Sequence, residues 1–341
     1  MARIAFWTIY PGGGGSEVLW NQAAEKLLKE GHSVFGSLFD SPANKRFIQN
    51  ARAASMTVHL RRSGVSLAKR ALRRLGVENK PGPAKELLEF RPDLIVINTD
   101  SLLWIMDDQL VETLEVSGVP YIIVIHGTGG FFEDDLRPKA QRLYANARQV
   151  CFVSEYTRQM VCRHLARDLQ NCRVIRNPVN AKLDAGNPPA FPSLDGPLRF
   201  ATASRLNCYT KGHDYLLQSL SYSELRKQDF VCSIYNDGPH RNYIAELVGY
   251  YGLEDKVNIA GHSESITEIW RNTHVHLMPS LVESAPIALV EAMLCARPTV
   301  ANKSSGIPEW VSEGENGFLG ESINSWNLVP GISKAFENAD R

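Results

Sequence analysis

Two carboxylates, Glu283 and Glu291, stand eight residues apart in the segment Pro279-Ser280-Leu281-Val282-Glu283-Ser284-Ala285-Pro286-Ile287-Ala288-Leu289-Val290-Glu291-Ala292-Met293. Pro286 suits the first position of a helix, where its missing N–H is no loss. Glu283 then precedes the helix, Glu291 lies about two turns in, and the amides after Pro286 stay free for an anion. At about 1.5 Å per residue the two acids span up to about 12 Å, the scale of a sugar, a diphosphate and a ribose in line. A solvated helix face shows the same spacing. Glu291, however, is enclosed by Leu289, Val290, Ala292 and Met293, and an acid in such company needs a bound partner.

Cations of the right kind lie upstream. Ser204-Arg205 follows an apolar strand, and Lys211-Gly212 comes six residues after Arg205. An arginine fork and a lysine point charge together neutralise a diphosphate without a metal. His126 ends the strand Tyr121–Ile125 and is followed by Gly127-Thr128-Gly129-Gly130. In open parallel sheets the strand C-termini border the ligand crevice, so an imidazole there is a candidate donor or acceptor, although a lone histidine is more often structural. Pro11-Gly12-Gly13-Gly14-Gly15-Ser16-Glu17 follows the first strand and opens a helix, a junction where backbone approaches phosphate closely. The dinucleotide fingerprint is incomplete there, with Glu17 at the third glycine position. Asp40, ending the second strand, keeps a nicotinamide-dependent dehydrogenase as an alternative, and a plain tight turn is another.

These residues need strands and helices to hold them. Short apolar runs alternate with amphipathic ones, the mark of βαβ units. The expected strands are 3–8, 33–39, 57–60, 94–98, 121–125, 150–153 and 173–176, then 198–203, 231–235, 257–260, 275–278 and 299–301. Between the two sets lie Asn177-Pro178-Val179-Asn180 and Asn187-Pro188-Pro189-Ala190-Phe191-Pro192, which continue neither helix nor central strand. Two domains are therefore expected, 1–177 and 178–341, in keeping with 341 residues at roughly 100 to 200 per domain.

The whole chain balances 37 Lys+Arg against 37 Asp+Glu, which excludes a protein held to nucleic acid by overall charge. The halves differ: residues 1–176 hold 24 basic and 18 acidic side chains, a net +6, and the remainder 13 and 19, a net −6. Much of the basic excess lies between Arg61 and Arg74, where Leu67, Ala71, Leu72 and Leu75 form one helical stripe flanked by cations. Such a helix is a solvated surface element or lies on an anionic membrane. The six cysteines are dispersed without a Cys-x-x-Cys pair and read as reduced core thiols of a cytoplasmic protein. No apolar run approaches the roughly 20 residues of a membrane span, and the N-terminal run reads as a strand rather than a leader.

Taken together, the second half resembles the retaining glycosyltransferases of the GT-B fold, family 4 in sequence classification. The matching segments are Ser204-Arg205 with Lys211-Gly212-His213-Asp214, Asn236-Asp237-Gly238-Pro239, Val257-Asn258-Ile259-Ala260-Gly261-His262, and the Glu283 to Glu291 pair. Gly306-Ile307-Pro308-Glu309 and Gly314-Glu315-Asn316-Gly317-Phe318-Leu319 extend the match. The first half resembles the family more thinly, through its glycine loop, Gly31-His32-Ser33-Val34 and the Asn177-Pro178 linker. Ser284 and Ala285 stand where the family more often has a glycine and an aromatic residue.

The resemblance implies an α/β chain of two Rossmann-like domains facing across a cleft. The first would serve the acceptor and the second a nucleotide diphosphate sugar, a UDP or GDP sugar. It implies that Arg205 and Lys211 bind the diphosphate and that Glu291 binds the ribose. Glu283, with the backbone of Ser284, Ala285, Pro286 and Ile287, would hold the sugar hydroxyls. Gly13 and Gly14 would approach the phosphate or acceptor, and His126 would sit beside the reacting sugar. Asn236, Gly238 and His262 would lie near the base. His126, Arg205, Lys211 and Glu283 form the implied catalytic set. No Asp-x-Asp triplet occurs, so no catalytic metal and no other cofactor is expected.

The expected reaction is retaining sugar transfer to a glycan, lipid-linked or small-molecule acceptor, in the cytoplasm or at the inner face of a membrane reached through Arg61 to Arg74. An epimerase or phosphorylase on the same fold shares the site but needs no separate acceptor alcohol. The family usually continues beyond Gly317-Phe318-Leu319 with two helices, the last crossing back to the first domain. Here one helix, near 328–338, is expected, leaving the crossover short or missing.

Overall fold

The computed structural model describes residues 1–9, 15–41, 44–62, 82–179, 186–263, 265–320 and 328–339. The chain divides into two compact units, Met1–Asn177 and Pro178–Arg341.

The first unit carries a seven-stranded sheet of β1 (Arg3–Thr8), β2 (Ser33–Asp40), β3 (Thr57–Arg62), β4 (Leu94–Thr99), β5 (Tyr121–Ile125), β6 (Gln149–Phe152) and β7 (Cys172–Val174), in the spatial order 3-2-1-4-5-6-7. Every pairing is parallel. Parallel strands are covered on both faces, which is why Leu94–Thr99 and Tyr121–Ile125 are nearly continuous apolar runs rather than alternating ones. Successive residues of β1 feed opposite layers: Ala5 and Trp7 join one core with Phe35, Ile97, Trp104 and Ile123, while Ile4 and Phe6 join another with Trp20, Val34 and Leu38.

The second unit holds β8 (Leu198–Ala203), β9 (Phe230–Tyr235), β10 (Val257–Gly261), β11 (Val275–Met278), β12 (Thr299–Ala301) and β13 (Gly317–Leu319), again all parallel. Their order is 10-9-8-11-12-13. In both sheets the chain starts at the centre, winds to one edge, and returns past its first strand to build the other side. The connections leaving β8 and β11 therefore diverge, opening a crevice at their C-terminal ends. The same divergence occurs between β1 and β4.

Each expected strand is present, several with ends shifted by one or two residues, such as Cys172–Val174 for the expected 173–176, and one further strand appears. Strand β3 runs on to Arg62 because its pairing with β2 continues as far as Asp40↔Arg62. The segment Gly317–Leu319, expected only as a motif, is an edge strand on β12. A side chain at Gly317 would collide with the Thr299 carbonyl, so only glycine lets the two backbones close. The last described helix is Val329–Glu337.

The basic stretch from Arg61 to Arg74 requires a correction. Arg61 belongs to a strand, and its guanidinium lies inside the unit, 4.3 Å over the Trp7 ring and 4.4 Å over Phe39. It pairs with Asp107 at 3.1 Å and donates to the Thr8 carbonyl. A guanidinium so enclosed faces no membrane; burial lowers its pKa to about 10 despite the adjacent carboxylate. Residues 63–74 lie outside the described residues. Among the described residues no helix is long and apolar enough to cross a membrane. All six cysteines are unpaired thiols, five buried and Cys172 half-buried.

Candidate active site

In the second unit, Ser204 and Arg205 leave the end of β8. Ser204 Oγ lies 3.1 Å from Nε2 of His213, a fully buried ring whose pKa burial lowers to about 4, with Lys211 and His240 adding to the shift. Arg205 is exposed and pairs with no acid among the described residues. Asn207 caps the short helix Cys208–Lys211 by accepting from the Tyr209 amide at 3.1 Å. Gly212 then turns the chain at φ +61°. A side chain there would strike the Pro279 carbonyl, so the β8 loop is pressed against the end of β11.

That contact is continued by backbone. Thr210 O accepts from the amides of Leu281 and Val282 at 2.9 and 3.2 Å. Lys211 Nζ, one residue on, forms an ion pair with Glu283 Oε2, both side chains only partly exposed. The β12 loop fixes the other side: Gly306 donates to the Glu283 carbonyl at 2.9 Å, Ser304 Oγ to Ser280 O at 3.0 Å, and Asn302 Nδ2 to Pro279 O at 2.7 Å.

Ser284 and Pro286 are buried, Ala285 and Ile287 half-buried. Pro286 is the N-cap rather than the first helical residue, and the helix is Ile287–Leu294. Glu291 consequently lies little more than one turn in, not two. Its side chain is 7% exposed, no hydrogen-bond or ion-pair partner meets its carboxylate among the described residues, and burial pushes its pKa up to about 7. The bound partner expected for this acid is thus not supplied by the described residues.

The β9 and β10 loops complete this edge. Asn236 sits at φ +83°, donates its amide to Gly261 O at 2.6 Å, and holds His262 Nδ1 at 3.2 Å from its Oδ1. A Cβ on Gly238 would stand 2.5 Å from Leu206 O, so glycine is required for this loop to rest on the residue after Arg205. The fold therefore rests Leu206, the residue after Arg205, on Gly238 of the loop that begins with Asn236, and ties Lys211 to Glu283 on the loop that leads into the Glu291 helix.

In the first unit His126 is half-buried at the end of β5. Its Nε2 is 2.6 Å from Asn98 Oδ1 at the end of β4, and burial lowers its pKa to about 4. Asp40 is exposed at the end of β2. Gly13 and Gly14 lie outside the described residues. Sequence reasoning missed Asn98 and the Ser204–His213 pair. The only sign of Asn98 was a polar residue ending an apolar strand, which ordinarily means no more than the strand's end.

Residues 13–183, half of the chain, match the sequence profile described as Glycosyltransferase Family 4. The chain belongs to glycosyltransferase family 4. Residues 189–341 match a second profile, Glycosyl transferases group 1. An uncharacterized glycosyltransferase of Haemophilus influenzae is 29% identical over 131 residues, 38% of this chain and 37% of that one. The matched parts span 22% to 37% of the first three curated relatives' own length. Among solved structures, a glycosyltransferase of Rickettsia africae is similar over 98% of this chain and 88% of its own, with a TM-score of 0.77 at 17% identity. HepE of Anabaena, solved with UDP, covers 98% and 90%, with a TM-score of 0.75 at 19% identity. The family 4 chain thus has the GT-B fold.

Proposed function

We propose that this family 4 member is a metal-independent, retaining glycosyltransferase that moves a sugar from a nucleotide diphosphate donor to an acceptor hydroxyl. The observation that carries the reading is the convergence, at the C-terminal edge of one parallel sheet, of Arg205, the Lys211–Glu283 pair, a helix start and the unpartnered Glu291. Each meets one part of such a donor. Glu291 accepts from the ribose hydroxyls, which donate to the carboxylate that burial otherwise disfavours. Arg205, Lys211 and the first amides of helix Ile287–Leu294 meet the diphosphate. Glu283 and the backbone after it meet the sugar hydroxyls, and Asn236, Gly238 and His262 flank the base.

During transfer the bond from the sugar's anomeric carbon to the β-phosphate oxygen breaks, and one to the acceptor oxygen forms on the same face. The acceptor proton passes to the departing phosphate. Negative charge grows on the leaving diphosphate, where the two cations and the helix amides stabilise it; this is the role a metal would otherwise have. The first unit, with His126, Gly13 and Gly14, serves the acceptor side, and its net charge of +6 over residues 1–176 favours a glycan or lipid-linked acceptor bearing negative charge. The UDP complex of HepE supports uridine as the first nucleoside to try.

A thermal-shift screen of nucleoside diphosphates and their sugars tests the class and identifies the base together. Proton NMR of the transferred anomeric centre then reads retention directly. Absence of any stabilisation by nucleoside diphosphates overturns the reading, and an inverted product overturns its stereochemistry.

A further inference from the structure

Asn98 is 1% exposed and is the last residue but one of β4, with Thr8 as its partner across β1 and Val124 across β5. Its amide oxygen meets Nε2 of His126 at 2.6 Å. An amide oxygen only accepts, so the shared hydrogen resides on Nε2, and a neutral imidazole must then keep Nδ1 as a bare lone pair. That second nitrogen is buried and has no partner among the described residues. A buried acceptor left open costs free energy unless something fills it.

The ring is also held in place. The His126 amide donates to Thr99 O at 2.9 Å, Ser101 donates to Gly127 O at 3.1 Å, and the Gly129 amide donates to Ser101 Oγ at 2.9 Å. Asp100, the titratable group on this strand end, has its Oδ1 engaged by the Leu102 and Leu103 amides at 2.9 and 2.7 Å. Its carboxylate lies where a Cβ on Gly129 would go, 2.8 Å away. Burial is the sole cause of the His126 shift, with no charged side chain acting on the ring.

We propose that Asn98 is a positioning residue that fixes the tautomer of His126, so that Nδ1 is presented as an acceptor for a substrate hydroxyl. The inference rests on the glycosyltransferase reading for the role of His126, but the tautomer itself does not. Replacing Asn98 changes which nitrogen carries the hydrogen without touching any substrate atom. Asn98→Leu removes the acceptor and releases the Nε2 hydrogen. Asn98→Asp keeps an acceptor but adds a negative charge, which raises the pKa of the ring and puts hydrogen on both nitrogens until the pH exceeds the new value.

The test uses the full chain labelled with nitrogen-15, with ring shifts read by long-range proton–nitrogen correlation near neutral pH, alongside pH profiles of transfer from a panel of UDP and GDP sugars. The wild-type spectrum is expected to show an unprotonated Nδ1 and a protonated Nε2, and Asn98→Leu to show the tautomers mixed. Transfer falls about tenfold or more in Asn98→Leu at every pH, about 1.4 kcal/mol in the barrier. In Asn98→Asp it falls at low pH and recovers as pH rises. A hydrogen on Nδ1 in the wild type, an unchanged tautomer in Asn98→Leu, or equal pH-independent losses in both variants overturns the proposal. If the wild type transfers no sugar at all, the glycosyltransferase reading fails while the nitrogen shifts still decide the tautomer.

Discussion

Lys211 and Glu283, 72 residues apart in sequence, form an ion pair that joins the loop after β8 to the loop after β11. Both are expected to touch the donor, so without it each satisfies the other. On the proposed function, binding replaces this pair with ligand contacts rather than filling a site of free charges. The two residues should therefore behave as one unit in the empty protein. A double-mutant cycle of Lys211→Ala and Glu283→Ala in chemical denaturation is expected to give a coupling of about 1 to 3 kcal/mol. Strict additivity would show that the pair contributes nothing to the fold.

Among the described residues Arg205 has no such partner. Arg205→Ala is expected to leave the unfolding midpoint within about 0.5 kcal/mol of wild type while weakening binding of the preferred nucleoside diphosphate about tenfold or more, as expected for a lost charge-assisted hydrogen bond. Calorimetric titration separates the two effects. Unchanged affinity would remove Arg205 from the diphosphate site.

Glu291 makes stability depend on pH with a definite sign. Its folded pKa of about 7 lies above the ordinary 4.5, so the folded state keeps its proton longer than the unfolded chain. The contribution is present in full below about pH 4.5 and is lost as pH rises towards 7, by about 3 kcal/mol at most. Glu291→Gln should abolish that decline, raising the melting temperature relative to wild type at pH 8 while weakening nucleotide binding. In the wild type, binding should release a proton near pH 6 to 7, seen by calorimetry in buffers of different ionisation enthalpy. Proton uptake instead would contradict a ribose contact to the carboxylate.

Gly238 and Leu206 test the contact between the β8 and β9 loops. With a Cβ only 2.5 Å from Leu206 O, Gly238→Ala forces backbone apart and should cost about 1 to 3 kcal/mol. Because Leu206 follows Arg205, nucleotide affinity should fall in the same variant. A stable variant with normal affinity would mean that the loops move freely.

Arg61→Met separates a buried ion pair from a membrane anchor. It leaves Asp107 uncompensated, with the Trp7 indole N–H at 3.0 Å as its remaining side-chain donor, and should destabilise the protein by about 3 to 5 kcal/mol. Sedimentation with anionic vesicles should not change. Reduced sedimentation at full stability would return Arg61 to the surface.

The apolar runs and the prolines between them were enough to read the alternating strands and helices, because both are local patterns of burial and chain stiffness. The candidate residues of the second unit could be picked out too, and the loops and helix that carry them lie where the spacing of glycines, cations and acids put them; their roles remain a proposal. Even so, Pro286 took the cap rather than the first helical position, a one-residue difference that moves Glu291 nearer the helix start.

What the sequence alone determined is the fold class, the residue types of the site and their order along the chain. Only the tertiary structure decided who meets whom: Lys211 with Glu283, Asn98 with His126, and Arg61 with Trp7 and Asp107 instead of a membrane. Strand order and loop contact set these pairings, joining residues 28 to 72 positions apart. No local periodicity records such distances, because the energy of each pair depends on how much water the surrounding fold excludes.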